Sequence, residues 1–376
     1  MSSFYIHIPF CKQACHYCDF HFSTSLKKKD EMIQALAEEI VMRKNEVEDE
    51  VETIYFGGGT PSVLSTTEIN FLIDVVYQNY NVIENPEITL EANPDDLSLE
   101  KIKELANSKI NRLSIGIQSF FEDDLQMMNR AHNANQAMFC LEETTKYFDN
   151  ISVDLIYGIP NMPNEKWMRN IETALSFKIP HISSYALTVE PKTALFKLIE
   201  KGEIDKPKDE VAENHFFILV EKLKENEFVH YELSNFGKEG YFSKNNTSYW
   251  SGKKYIGIGP SAHSYDGTQR SWNIANNSLY IKGIQNNVLP NEVEKLMVHD
   301  RYNEYIMTGL RTMWGVSLDR IQSEFGQKYY DYLIETSEKL IANQLLQING
   351  QKLTVTQKGK FLSDGIASEL FMIPEK

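Results

Sequence analysis

Cys11, Cys15 and Cys18 fall within eight residues of one another, while Cys140, the only other cysteine of the 376-residue chain, is far away. The run Cys11-Lys-Gln-Ala-Cys15-His-Tyr-Cys18 spaces its thiols as C-x3-C-x2-C. A loop of that length can bring three sulfurs to three corners of a cubic iron–sulfur cluster, leaving one iron without a protein ligand. Thiolates are soft ligands suited to such clusters. Two other readings stay open: a zinc site with His16 or a distant group as fourth ligand, and three unrelated thiols. Zinc sites usually pair cysteines as C-x2-C and close all four positions, so the spacing favours the cluster. The opening run has neither a basic n-region nor an apolar h-region, so no secretion signal is expected. The thiols then point to metal or redox chemistry in a reducing cytoplasm, not to a disulfide framework. Cys140 sits in a helical pattern and reads as a small buried hydrophobe.

Such a loop needs a scaffold, and the chain spells one out as a strand-then-helix rhythm. β-rich runs are predicted at Phe4–Ile8, Thr53–Phe56, Glu87–Glu91, Arg112–Gln118, Ile151–Ile156 and Ile182–Leu187. Helical patterns fall between them, over Asp30–Arg43, after Ser65, and over Leu99–Ser108, Ala134–Tyr147, Lys166–Ser176 and Glu210–Asn226. Ser65-Thr-Thr-Glu68 reads as a capping box. Alternation of this kind implies an α/β fold with a parallel sheet. Special residues collect where the strands end: the cysteines after the first, Gly57-Gly58-Gly59-Thr60 after the second, Glu91-Ala-Asn93-Pro94 after the third. Gly116-Ile-Gln118-Ser119, Asp154 and Ser184-Tyr185 mark the fourth to sixth. Parallel α/β folds bind ligands at the carboxyl ends of their strands, so one site ringed by these loops is predicted.

Three domains are expected: a barrel over 1–235, an irregular segment over 236–290 that wraps back onto the sheet, and a C-terminal helical domain over 291–376. Within the last, 291–343 reads as helical. Leu346 to Val355 alternates about Asn349-Gly350, a strong hairpin signal, and a short helix is expected from Gln357. Helices, hairpin and helix resemble a winged-helix module. The whole chain carries 38 Lys and Arg against 53 Asp and Glu, a net charge of −15. That balance argues against nucleic acid as main partner and against an anionic membrane surface. The C-terminal domain, with 10 Lys and Arg against 12 Asp and Glu, suits structure or protein contact better than DNA. No run of 18 apolar residues exists, so no transmembrane segment is expected.

Tyr5-Ile-His7-Ile-Pro9-Phe10-Cys11, the cysteine motif, the glycine run through Pro61, Ser114-Ile-Gly-Ile-Gln118-Ser-Phe120 and Asp154-Leu-Ile-Tyr157-Gly158-Ile-Pro160 together carry a resemblance. Over nearly its whole length the chain resembles the radical S-adenosylmethionine (SAM) superfamily, in the branch of oxygen-independent coproporphyrinogen III oxidase and the related haem chaperones. The resemblance implies a partial (β/α)6 barrel and a [4Fe–4S] cluster on Cys11, Cys15 and Cys18, whose open iron binds SAM. It implies Tyr17 near the adenine, Tyr5 near the cluster-bound SAM, and Gly59 and Thr60 at the methionyl end. Glu91 and Arg130 would pair with the ammonium and carboxylate, Gln118 and Asp154 with the ribose hydroxyls, and Ala186 with the adenine through its backbone.

The branch holds an enzyme that decarboxylates two propionates through a 5′-deoxyadenosyl radical, and a carrier that binds haem and passes it to a recipient apoprotein. The oxidase pattern continues C-x3-C-x2-C-x-C, and Phe20 stands at that fourth position here. The oxidase also has an extension ahead of its Tyr-x-His motif, whereas Tyr5 is nearly the first residue. Both departures favour the carrier: a cytoplasmic haem chaperone with haem and haem-receiving apoproteins as partners, and no coproporphyrinogen decarboxylation. One feature cuts the other way. The chaperones carry His-Asn-x-x-Tyr-Trp, and the run here is Asn245-Asn246-Thr247-Ser248-Tyr249-Trp250, with asparagine, a poor iron ligand, in place of the histidine. His263, in Gly257-Ile-Gly-Pro-Ser-Ala-His263, is a substitute ligand or a structural histidine. A methyltransferase of the same branch is a third reading that no sequence feature selects.

Overall fold

The computed structural model describes residues 2–47 and 49–373; the outermost ends of the first and last expected domains, residues 1 and 374–376, lie outside them. Six parallel strands come in chain order: β1 (Ser2–Ile8), β2 (Val51–Gly58), β3 (Val82–Ala92), β4 (Arg112–Gln118), β5 (Ile151–Tyr157) and β6 (His181–Ala186), each followed by helix. All six predicted strands are present, most of them longer than the β-rich runs that announce them. The Ser65 capping box is formed, with Ser65 and Glu68 each accepting the other's backbone N–H.

The sequence of each strand explains which face does what. Side chains alternate across a strand. Phe4, Ile6 and Ile8, then Ile54 and Phe56, Ile88 and Leu90, Leu113, Ile115 and Ile117, Val153 and Leu155 are all buried in one apolar core. This is the face the helices cover. The alternate positions are Tyr5 and His7, Thr53, Tyr55 and Gly57, Glu87, Thr89 and Glu91, Arg112, Ser114 and Gly116, Ser152 and Asp154, His181 and Ser183. Cross-strand hydrogen bonds tie several of these together: Tyr55 to Glu91, Ser114 to Asp154, and Ser152 to both His181 and Ser183. A parallel strand buried on both faces would read as continuous hydrophobe. These strands alternate because one face looks into a polar interior.

The stretch expected to be irregular, 236–290, instead extends the sheet. Added strands are β7 (Val229–Glu232), β8 (Asn235–Gly237), β9 (Tyr255–Ile258), β10 (His263–Tyr265), β11 (Gln269–Asn273) and β12 (Asn291–Lys295). The complete order is β12-β11-β10-β9-β1-β2-β3-β4-β5-β6-β8-β7, with β9 parallel to β1 and the outer strands antiparallel. Their brevity and polar, Asn- and Ser-rich composition hide them from periodicity. For the same reason β12, Asn-Glu-Val-Glu-Lys, is a strand where helix was expected.

The segment 230–250 closes the lower end of the interior. Glu87 accepts the backbone N–H groups of Lys244 and Asn245, Thr53 donates to Asn245 Oδ1, and Tyr231 Oη meets His181 Nε2. On the far side, Glu39 is wholly buried and gathers donors from Tyr280 Oη (2.5 Å), Gly259 N (2.7 Å), Asn273 Nδ2 (2.8 Å) and Arg43 Nη1 (3.1 Å). It ties the first helix, Lys29–Met42, to the strands that complete the sheet.

The C-terminal unit has its own core of Tyr302, Ile306, Leu310, Leu333, Leu340, Leu353 and Ile366. Helices Val298–Leu310, Gln327–Ala342 and Ser363–Glu369 pack with a small sheet of β13 (Val316–Ser317), β14 (Leu346–Asn349) and β15 (Lys352–Val355), ordered β13-β15-β14. The hairpin turn is centred on Gly350-Gln351, one residue later than expected, because Asn349 pairs with Lys352 and only Gly350 has positive φ (61°). The final helix begins at Ser363 and not at Gln357. Arg311 fastens this unit to the barrel through Glu232 (3.1 Å).

Glu39→Ala should destabilise the chain by roughly 3–5 kcal/mol, the range for breaking a buried ion pair. It removes the buried acceptor of Tyr280, Gly259 and Asn273, while Arg43 keeps its pair with Glu46 (2.7 Å), so the lower part of that range is expected. Glu39→Gln should cost less. Urea unfolding followed by circular dichroism checks this; wild-type midpoints for both would refute it.

Candidate functional site

At the carboxyl ends of β1 to β6 lies a cavity of about 420 Å³. Cys11, Cys15, Tyr17 and Cys18 line it from the first loop, Gly59 and Thr60 from the second, and Glu91 from β3. Gln118, Arg130, Asp154 and Ala186 complete the wall. Of the twelve residues assigned to the cluster and SAM, Tyr5 alone is not in the lining. It lies one layer deeper, stacked on Tyr55 with ring centroids 6.1 Å apart.

The cysteine loop is held by backbone contacts. Gly59 N donates to Ile8 O (3.0 Å) and Thr60 N to Phe10 O (2.7 Å). A Cβ on Gly59 would stand 2.6 Å from Phe10 O, and one on Gly58, whose φ is 106°, 2.5 Å from the His7 ring. Neither position tolerates a side chain. The far side of the loop is laced to 127–130 by Gln13 Nε2 to Asn129 O, Asn129 Nδ2 to Ala14 O, and the His16 ring against Met127 O.

The three thiols open into one cavity, which fits a cluster. His16 is outside the lining, its Nδ1 turned to a backbone carbonyl. Among the described residues no three His, Cys, Asp or Glu side chains are arranged around a single metal ion. A cubic cluster spreads its thiolates over separate corners, so it does not need that arrangement. Burial pushes the Cys11 and Cys18 thiols up to about 11, so loading this loop with metal must displace protons.

Glu91 and Arg130 are cavity groups and not surface charges. Desolvation pushes the Glu91 carboxyl up to about 7; the nearby Asp154 adds to this, against a hydrogen bond from Tyr55 Oη (2.8 Å) that favours the ionised form. Desolvation likewise raises Asp154 to about 6, opposed by Arg112 and by hydrogen bonds from Ser183 and Ser114. It is a mid-strand residue, not a helix cap. Arg130 donates through Nη1 to Cys15 Sγ and Tyr17 Oη, both at 3.3 Å, and through Nη2 to Asn93 Oδ1 (2.7 Å) and Gly116 O (2.9 Å). Its Nε is buried without a partner. Buried polar groups normally find one, so this guanidinium keeps one donor unused by the protein. Gln118 takes a positive φ of 65° at a register shift between β4 and β5. A Cβ at Gly116 would come within 2.9 Å of its Nε2 and 3.2 Å of Arg130 Nη2.

Three contributors escaped the sequence reading in these roles: Tyr55 as donor to Glu91, Ser114 as donor to Asp154, and Asn93 as acceptor from Arg130. The signal was available. Asn93 is two residues from Glu91 and Tyr55 two from Gly57, so strand alternation puts each on the inner face. The two haem-ligand positions fare differently. Asn245 is 1% exposed, on the floor opposite the cysteines, its carbonyl taken by Thr53. His263 is exposed on β10, paired with Trp272, outside the cavity lining.

A three-thiol loop at the mouth of a parallel half-barrel, with a carboxylate and a guanidinium beside it, is the arrangement of a radical SAM protein. Residues 5–181 match the Radical SAM superfamily and residues 296–362 the HemN C-terminal domain. The chain is 34% identical over 375 residues to the heme chaperone HemW of Bacillus subtilis, covering 97% of this chain and 98% of that one. Against the heme chaperone HemW of Lactococcus lactis it is 34% identical over 373 residues, covering 99% and 97%. The fold is shared with the coproporphyrinogen III oxidase HemN of Escherichia coli, at a TM-score of 0.84 and 21% identity, covering 98% of this chain and 89% of that one. The chain belongs to the radical SAM superfamily, in the branch of the HemW relatives. Membership implies SAM and a [4Fe–4S] cluster. No helix among the described residues is long and apolar enough to cross a membrane.

Tyr55→Phe removes the donor that favours ionised Glu91, so Glu91 should titrate above about 7. Carbon-13 NMR of labelled glutamate carboxyls checks this. A midpoint at or below the wild-type value would show that Tyr55 does not set it.

Proposed function

We propose that this chain is a haem chaperone: it binds haem, carries a SAM-coordinating [4Fe–4S] cluster, and delivers haem to apoproteins in the cytoplasm. The observation that carries this reading is the likeness to relatives named heme chaperone HemW over 97% of the chain. Phe20 supports it, since this position holds no fourth thiol and presents a ring 68% exposed beside the cavity.

In this reading Cys11, Cys15 and Cys18 hold the cluster, which supplies an open iron for the amino and carboxylate groups of SAM. Glu91 accepts from the amino group, and the Arg130 guanidinium pairs with the carboxylate. Gln118 and Asp154 hold the ribose, Tyr17 and the Ala186 backbone the adenine, and Gly59 and Thr60 the methionyl end. Tyr5 acts from behind, walling the Glu91 pocket. Cys15→Ala should abolish cluster assembly, read as iron and labile sulfide after anaerobic reconstitution. Stoichiometric zinc without sulfide in the wild type would refute the cluster.

SAM affinity should rise with pH between about 6 and 7.5, as Glu91 ionises through about 7 and becomes a full acceptor for the N–H groups of the SAM amino nitrogen. Glu91→Gln should flatten that profile. Glu91→Ala and Arg130→Ala should each weaken binding by roughly 1.5–3 kcal/mol, the range for hydrogen bonds to charged groups. Calorimetry on reconstituted protein checks both.

Haem binding should draw on apolar contact with the porphyrin as well as any axial bond. The deciding experiment titrates reconstituted protein with haem and, on the same sample, analyses products from coproporphyrinogen III, SAM and a reductant. Haem binding without protoporphyrinogen is expected. Protoporphyrinogen at a catalytic rate would install the oxidase instead. A Soret shift in His263→Ala, with none on substitution of Asn245, would identify His263 as axial ligand.

A further inference from the structure

Two of the three cavity cysteines are joined by a chain of hydrogen bonds whose middle member is Asn93. Arg130 donates to Cys15 Sγ at 3.3 Å and to Asn93 Oδ1 at 2.7 Å. Asn93 Nδ2 donates to Thr60 Oγ1 at 3.4 Å, and Thr60 Oγ1 donates to Cys11 Sγ at 3.3 Å. The amide orientation follows from chemistry. A guanidinium only donates, so it must meet the carbonyl end. The NH2 end then faces Thr60. A hydroxyl has one proton, and because Asn93 occupies its oxygen as a donor, that proton is left for sulfur. Asn93 is itself anchored, its backbone N–H on Ser62 Oγ (3.2 Å) and the Ser62 hydroxyl on Asp96 Oδ2 (2.6 Å).

We propose that Asn93 is a positioning residue that sets the reduction potential of the cluster by holding one donor on Cys11 and another on Cys15. This rests on the cluster reading above. Reduction adds negative charge to a cluster, and donors aimed at its thiolate sulfurs stabilise the reduced form more than the oxidised one, which raises the potential. Neither an acid nor an alkyl side chain can replace the amide. A carboxylate would still accept from Arg130 but would compete with Cys11 for the Thr60 proton. An alkyl group would remove the shared anchor, leaving Arg130 aimed at Cys15 by Gly116 O and Tyr17 alone and the Thr60 oxygen without its donor.

The test is a redox titration of anaerobically reconstituted protein, followed by electron paramagnetic resonance, on wild type, Asn93→Ala, Thr60→Val and the double variant. Iron content and melting temperature are measured alongside. Both single variants should keep their iron and shift the midpoint to more negative values. The double variant should shift by less than the sum, because the two residues act along one chain. Asn93→Asp, nearly isosteric, serves as the second probe should the alanine variant fold poorly. It too should lower the midpoint, and combine less than additively with Thr60→Val. Loaded variants with the wild-type midpoint, or strictly additive shifts, would overturn the assignment while leaving the cluster reading intact. A wild-type chain that takes up no cluster would overturn both.

Discussion

Everything at the mouth of the barrel depends on how closely β2 passes the root of the cysteine loop. Gly58 and Gly59 let the end of β2 lie against β1 and the residues just beyond it, with less room than one methyl group would fill. From that contact Gly59 and Thr60 hydrogen-bond to Ile8 and Phe10, and Cys11 is the next residue. The loop is then pinned on its other side by 127–130, the segment that also delivers Arg130. The cysteines are thus placed by backbone geometry, and the charged groups of the cavity are built around a position already fixed.

The inner face of the half-barrel shows how much a strand pattern can say. Each central strand alternates apolar and polar residues, and the inward positions nearest the carboxyl ends, Glu91, Ser114 and Asp154 among them, converge on one cavity. Glu91, Asp154 and Arg130 share a desolvated space, and burial is the main cause of the shift at both carboxyls. The two carboxyls are held close to neutrality, where a change of partner can switch their charge. Such shifts gather at functional sites, and here they coincide with the positions carried over from the family motif.

The parallel core and its strand ends were legible because regular elements leave regular signals: β-rich runs, helical periods, a capping box, glycines at close approaches. The residues 230–295 were not. β8 and β10 have three residues each, too few for a period, and they are strands only because neighbouring strands offer hydrogen bonds, β6 to β8 and β9 and β11 to β10. Asn245 illustrates the cost. The motif suggested a cofactor-facing position, but its neighbours Thr53 and Glu87, distant in sequence, draw it to the floor. Side-chain relays such as the one through Asn93 are equally hidden, since they join residues whose proximity only the folded sheet creates.

The pairing of β1 on both flanks carries a consequence for biosynthesis. One neighbour, β2, follows within some fifty residues; the other, β9, arrives only with Tyr255–Ile258. The cysteine loop therefore leaves the ribosome long before the sheet around its root is complete, and Gly259, which packs on His7, is made later still. During that interval three thiols are tethered to a half-supported strand in a nascent chain. Metal taken up then would meet a loop without its final shape, since the loop reaches its folded geometry only after Tyr255–Ile258 has joined the sheet.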